Sequence, residues 1–249
     1  MRSLLATRYV TPLREGGSVP AIVEADDARL YVLKLFGAGQ GRLALVAELI
    51  VGELGRALGL AVPELVLVDL AEALGKNEPD AEIRDLLKAS VGTNVGLAYL
   101  SGALPFDAAA RAKVDGMTAS LIVLLDAFTM NVDRTPRNPN LLWWHGGLWL
   151  IDHGAALYWH HIGAAPDAAK PFPLVRDHVL LPWADALPAA GARLAAALTD
   201  EVIARVVALP PADWLTGPPR AVYEAHLIAR RGAVEALVEE ASRARAQRV

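Results

Sequence analysis

The chain has 249 residues, 54% hydrophobic and 21% charged, so it can bury a sizeable core. Its formal net charge of −4 provides no global basic field to hold nucleic acid or an anionic membrane surface. The absence of cysteine excludes disulfides, thiol nucleophiles and cysteine-ligated zinc. The apolar run after Met1 is too short for a signal peptide, and the expected location is cytoplasmic. The apolar run 121–130 is interrupted by Asp126 and reads as a buried helix rather than a membrane span.

The first part of the chain reads as strands. Residues 7–12, 21–25 and 30–36 are short β-type runs, separated by the turn-rich Arg14-Glu15-Gly16-Gly17-Ser18 and by Asp26-Asp27, as in a meander. After the flexible Gly37-Ala38-Gly39-Gln40-Gly41, residues 43–58 carry helical periodicity, and Gly59 and Pro63 stop it. Residues 62–70 and 94–101 are further strands, with a helix between them inside 71–90. Beyond Pro105 the pattern turns helical over 107–129. Segments 140–144 and 148–151 then flank His145-Gly146-Gly147 as a hairpin. From Ala189 the chain is helical, broken near Pro210-Pro211 and Pro218-Pro219, and ends in one long helix over 222–245. The stripe Glu235, Glu239, Glu240, Arg243 and Arg245 reads as a solvated face. Strands first and helices second predict an α+β protein of two lobes, a β-rich N-lobe over 1–101 and a mainly helical C-lobe over 102–249. A cleft between lobes is a usual ligand site.

Lys34 stands out because the other lysines, Lys76, Lys88, Lys113 and Lys170, sit in polar or loop-like surroundings, whereas Lys34 lies in an apolar strand. It is either a solvated strand residue or a cation held rigidly for phosphates. Glu48 lies in the following helix, where a glutamate can orient such a lysine. The run Asn131-Val132-Asp133-Arg134-Thr135-Pro136-Arg137-Asn138-Pro139-Asn140 places Asp133 and Asn138 five apart. A phosphoryl-transfer loop uses an Asp to take the acceptor proton and an Asn five residues on to bind metal, although Asp and Asn also populate plain turns. Asp152 ends the strand Leu148-Trp149-Leu150-Ile151 and is followed by His153-Gly154. A turn centred near Gly146 would set position 140 opposite 152 and gather Asn138, Asn140, Asp152 and Asp133, hard oxygen donors suited to magnesium. Gly16, Gly17 and Ser18 form a phosphate cradle or a plain turn. His160, His161 and His178 lack the spacing of a structural zinc site.

These residues resemble the HipA-like kinases, a bacterial branch of the protein-kinase-like fold with catalytic loops akin to those of phosphoinositide kinases. The resemblance spans residues 15–185. It rests on Gly16-Gly17-Ser18, Tyr31-Val32-Leu33-Lys34, the Glu48 helix ending in Leu58-Gly59-Leu60 with Pro63, the Asp133-to-Asn140 run, and Ile151-Asp152-His153-Gly154. It implies an ATP- and Mg2+-dependent phosphotransferase acting on an acceptor hydroxyl of a protein, lipid or small molecule. Lys34, with Gly16, Gly17 and Ser18, would bind the ATP phosphates, and Glu48 would pair with Lys34. Asp133 would be catalytic, Asn138 and Asp152 would hold magnesium, and Leu97, Ala98 and Tyr99 would form the hinge that reads adenine. The segment after Asp152 is short and shows no clear activation-loop phosphosite. Three other readings stay open: a nucleotide-binding pseudokinase or regulatory module, a metal-dependent hydrolase using Asp133, Asp152 and His153, and a nucleotidyl transferase on the same fold.

Overall fold

The structure is a computed structural model that describes residues 1–13, 19–76, 78–108 and 114–248. Five strands close a barrel: β1 (Ser3–Pro12), β2 (Ala21–Ala25), β3 (Leu30–Lys34), β4 (Leu65–Leu70) and β5 (Gly92–Ala98). The spatial order is β1-β2-β3-β5-β4, with β4 closing on β1 in parallel through Ser3↔Leu67 and Leu5↔Asp69. The expected meander therefore holds only for β1 to β3. Helix α1 (Arg42–Ala57) follows β3, and β5 inserts between β3 and β4, antiparallel to both.

Strand alternation sets what each side chain meets. Tyr31 and Leu33 point inward with Val23, Val66, Val68 and Leu70. Ile83 and Leu87 of α2 (Ala81–Ala89) join that cluster. Asp80 caps α2 by accepting the Glu82 and Ile83 amide N–H groups. Val32 and Lys34 fall on the outer face of β3.

A second, larger core gathers α1, α3 (Gly116–Thr129), α4 (Leu187–Ala197), α5 (Asp200–Val207), α6 (Arg220–Gly232) and α7 (Val234–Ala246). Helix α1 belongs here and not to the barrel interior: Leu49, Ile50 and Leu54 pack in the cluster that holds Leu121 and Leu125. Residues 119–129 of α3 are all buried, as a helix apolar on every side must be. Asp115 caps α3 by accepting the Thr118 N–H at 2.7 Å, so α3 itself begins at Gly116, and positions 109–113 of the helical stretch expected from 107 lie outside the described residues.

The small strand β6 (Leu104–Pro105) joins the hairpin of β7 (Leu141–Trp144) and β8 (Gly147–Leu150). The hairpin register is Leu141↔Leu150 and Trp144↔Gly147, so Asn140 stands opposite Ile151 and not opposite Asp152. The cause is a two-residue loop: His145 and Gly146 both have positive φ (48° and 78°), the pattern of a type I′ turn. The expected single C-terminal helix is two, α6 and α7, parted at Gly232 and Ala233, where glycine supports a helix poorly. No helix among the described residues is long and apolar enough to cross a membrane.

Candidate active site

Lys34 ends β3 facing outward, yet it is buried, because the outer face of β3 lies under α1 and the Asp152 segment. Its Nζ lies 2.8 Å from Asp152 Oδ2. Glu48, from the middle of α1, is buried in the same space. Glu48 Oε2 accepts the His153 backbone N–H at 2.7 Å, while Oε1 has no hydrogen-bond partner among the described residues. The ion pair expected between Glu48 and Lys34 is thus replaced by Lys34–Asp152. The carboxylate of Asp152 reaches the ammonium, and Glu48 holds the Asp152 segment through the neighbouring amide.

The electrostatics tie these groups together. Burial pushes the Lys34 ammonium down, but Glu48, Asp152 and Asp133 outweigh it and hold it above its ordinary value. Burial likewise opposes ionisation of Asp152, and the charge and hydrogen bond of Lys34 win, keeping its carboxyl below the usual range. Glu48 goes the other way. Burial pushes it up to about 7 against the attraction of Lys34, and the charge of Asp152 adds to the rise.

Helix α3 ends in a left-handed residue, Met130 (φ 56°), and the chain turns back at once, with the Asn131 N–H donating to Asp126 O at 2.8 Å. The Asp133 N–H donates to Asn131 Oδ1 at 3.1 Å. Asp133 Oδ2 accepts from Asn138 Nδ2 at 2.7 Å and from Asn140 Nδ2 at 3.3 Å. Asp133 and Asn138 therefore meet through the loop, closed by Thr135 N–H to Asn138 O and Asn138 N–H to Thr135 O, each 3.1 Å. Asn140 (φ 49°), Asp152 (φ 56°) and Leu157 (φ 52°) are also left-handed. Such backbone costs of order 1–3 kcal/mol per residue and concentrates where surrounding structure enforces a functional geometry.

Behind the loop, Arg134 is buried. Its Nε donates to Asp126 Oδ2 at 2.5 Å, its Nη1 to Asn140 O and to Ile151 O, the latter at 3.3 Å, and its Nη2 lies 3.1 Å from His153 Nδ1. Asp126 would be driven up by burial, but Arg134 and His178 hold it well below the ordinary range. The motifs point to Asp133 and Asp152 but not to this support. Its one signal is a lone acid in an apolar helix, since a buried carboxylate requires a partner.

The hydrolase reading loses its histidine. His153 is fully buried, burial pushes its imidazole down to about 3, and its Nδ1 faces Arg134. His160 lies against Tyr223 Oη and His178 against Asp126. Among the described residues, no three His, Cys, Asp or Glu side chains converge as a metal cage. Magnesium in phosphoryl transfer needs only one or two protein oxygens beside phosphates and water, and Asp152 and Asn138 are donors of that kind.

Of the expected hinge, Leu97 of β5, paired with Val32 of β3, joins the larger core, whereas Ala98 packs into the barrel cluster. The Ala98 N–H donates to Glu64 O at 2.9 Å and the Tyr99 N–H to Leu30 O at 3.0 Å, so both amides are committed to strand contacts. Gly16, Gly17 and Ser18 lie outside the described residues.

Comparison with known proteins adds an independent line. No curated protein matches the sequence. Among solved structures, the Golgi casein kinase with Mn/ADP bound aligns with a TM-score of 0.57 at 10% identity, covering 96% of this chain and 74% of its own. The Helicobacter pylori proinflammatory kinase CtkA aligns with a TM-score of 0.55 at 11% identity, covering 100% of this chain and 99% of its own. At such identities the likeness shows the fold, the two-lobed, α+β, protein-kinase-like one. A family model described as HipA-like kinase matches residues 7–165, a stretch that contains Lys34, Glu48, Asp133, Asn138 and Asp152. The match supports phosphotransferase chemistry, and by it the chain belongs to the HipA-like kinase family.

Proposed function

We propose that this protein transfers the γ-phosphoryl group of ATP to an acceptor hydroxyl, with magnesium bound beside the phosphates. The observation that carries this reading is the buried Lys34, ion-paired to Asp152 and lying in the field of Glu48 and Asp133. A strand, a helix and two loops bring together one cation and three carboxylates, more than a structural ion pair needs.

In this reading Lys34 leaves Asp152 for phosphate oxygens. Asp152 and Asn138 hold magnesium, which neutralises charge on the phosphates. Asp133 accepts the acceptor's proton while the new P–O bond forms and ADP departs. Glu48 holds the Asp152 segment through the His153 amide. The division of the chain into lobes at 1–101 and 102–249 belongs to the same proposal.

Calorimetry of ATP with and without magnesium, and transfer of labelled γ-phosphate, test it. Wild type is expected to bind ATP in a magnesium-dependent way, and Asp152→Ala to weaken that binding. Asp133→Asn is expected to keep binding and lose transfer by about 10²–10⁴-fold. No ATP binding by wild type in either condition would sink the reading. Release of pyrophosphate instead of ADP would turn it to nucleotidyl transfer.

A further inference from the structure

Behind the candidate site, a run of buried polar side chains holds none of the roles assigned in the reading above. Asp126 Oδ1 accepts from Asn131 Nδ2 at 3.0 Å, and Asp126 Oδ2 takes both Arg134 Nε at 2.5 Å and His178 Nε2 at 2.9 Å. The Leu180 N–H donates to His178 Nδ1 at 3.0 Å, which puts the ring proton on Nε2 and makes His178 the donor to Asp126. The Val179 N–H donates to Arg134 O at 3.0 Å.

The cavity beside these groups, about 10 Å³, is lined by Asp126, Asn131, Arg134, Thr135 and His178 among others. It has room for one water at most. The polar groups are therefore there for one another and not for a ligand.

The network ends on the reacting side chains. Arg134 follows Asp133 in the chain and holds the carbonyl of Asn140, whose amide donates to Asp133. The same guanidinium holds Ile151 O and His153 Nδ1, on either side of Asp152. One planar group thus fixes two carboxylates relative to each other, and Asp126 fixes that group.

We infer that His178 is a positioning residue: through Asp126 and Arg134 it keeps Asp133 and Asp152 in the mutual geometry that phosphoryl transfer requires. This rests on the phosphotransferase reading. A partner that directly supports reacting groups, as Arg134 does here, is worth about 10–100-fold in activity, and His178, acting on it through Asp126, is expected at the lower end of that range.

Two variants separate positioning from packing. In His178→Asn the side-chain oxygen can still accept the Leu180 N–H, but the chain is too short to reach Asp126. In His178→Gln the amide reaches Asp126 and restores the donor. ATP binding by calorimetry, and kcat and KM for ATP from ADP release, are measured with melting temperature as the control. His178→Asn is expected to lose about tenfold in kcat, with a rise in KM for ATP because Asp152 shifts as well, and His178→Gln to recover most of both losses. Wild-type kcat in His178→Asn overturns the inference, as do equal losses in both variants that follow their melting temperatures. If wild type itself neither binds ATP nor releases ADP, the phosphotransferase reading falls first and takes this inference with it.

Discussion

Glu48 carries a carboxyl into a helix face that is otherwise apolar, and the physics there runs against its charge. Its pKa rises from 4.5 to about 7, chiefly through burial. Between those values the native state binds a proton that the unfolded chain has released, so the associated stability is present below about 4.5 and is lost as pH rises toward about 7. Glu48→Gln mimics the neutral form. Its stability relative to wild type is expected to improve by up to roughly 3 kcal/mol across that window, read from denaturant melts at both ends. Parallel stability curves would show that Glu48 stays ionised. Lys34, Glu48, Asp133 and Asp152 are legible in the sequence because each sits at a marked place on a strand, a helix or a loop. Which of them touch is not legible: Glu48 meets the His153 amide across 105 positions, and His178 meets Asp126 across 52.

Among the elements, the strands and helices follow local rules closely. β2 occupies the short β-type run expected between the two turns, and α1 ends beside the Gly59 stop. The hairpin is one residue out of the expected register, because the loop length, and not the position of a glycine, sets which residues face each other. The packing of β5 against β4 also depends on a contact that no local pattern encodes. A side chain at Gly96, on β5, would place its Cβ 2.7 Å from Val68 Cγ2 and 3.0 Å from Val66 Cγ2. Valines in a strand have little rotamer freedom to move aside. Gly96→Ala is expected to destabilise the protein by about 1–3 kcal/mol in urea melts and to weaken ATP binding, since β5 carries the partner positions of β3. Unchanged stability would mean that the barrel relaxes around the methyl group.

At the scale of the whole molecule, α1 links the barrel to the larger core along the chain: it follows the barrel strand that ends in Lys34, packs with α3 in that core, and delivers Glu48 into the space of Lys34. Arg230 on α6 does similar work at the far side. It is fully buried, and donates to Ala127 O and Phe128 O at 2.8 Å each, Ala168 O at 3.1 Å and Lys170 O at 3.0 Å. It thus pins the end of the helix that leads into the Asp133 loop. Burial pulls its pKa down to about 10, which still leaves it charged at neutral pH. Arg230→Met strands those carbonyls and is expected to cost several kcal/mol, of order 3, with Arg230→Lys a poor rescue because an ammonium cannot span the same acceptors. A urea midpoint within error of wild type would show that water replaces the guanidinium.

The sequence by itself determined the α+β order, most elements and the spacing of Asp133, Asn138 and Asp152, because periodicity, turn residues and motif spacing act over a few positions. Only the tertiary structure decided that Lys34 pairs with Asp152, that β1 closes on β4, and that Asp126, Arg134 and His178 brace the loop. A buried charge takes the partner that packing brings within reach, and for Lys34 and His178 that partner comes from an element distant in the chain.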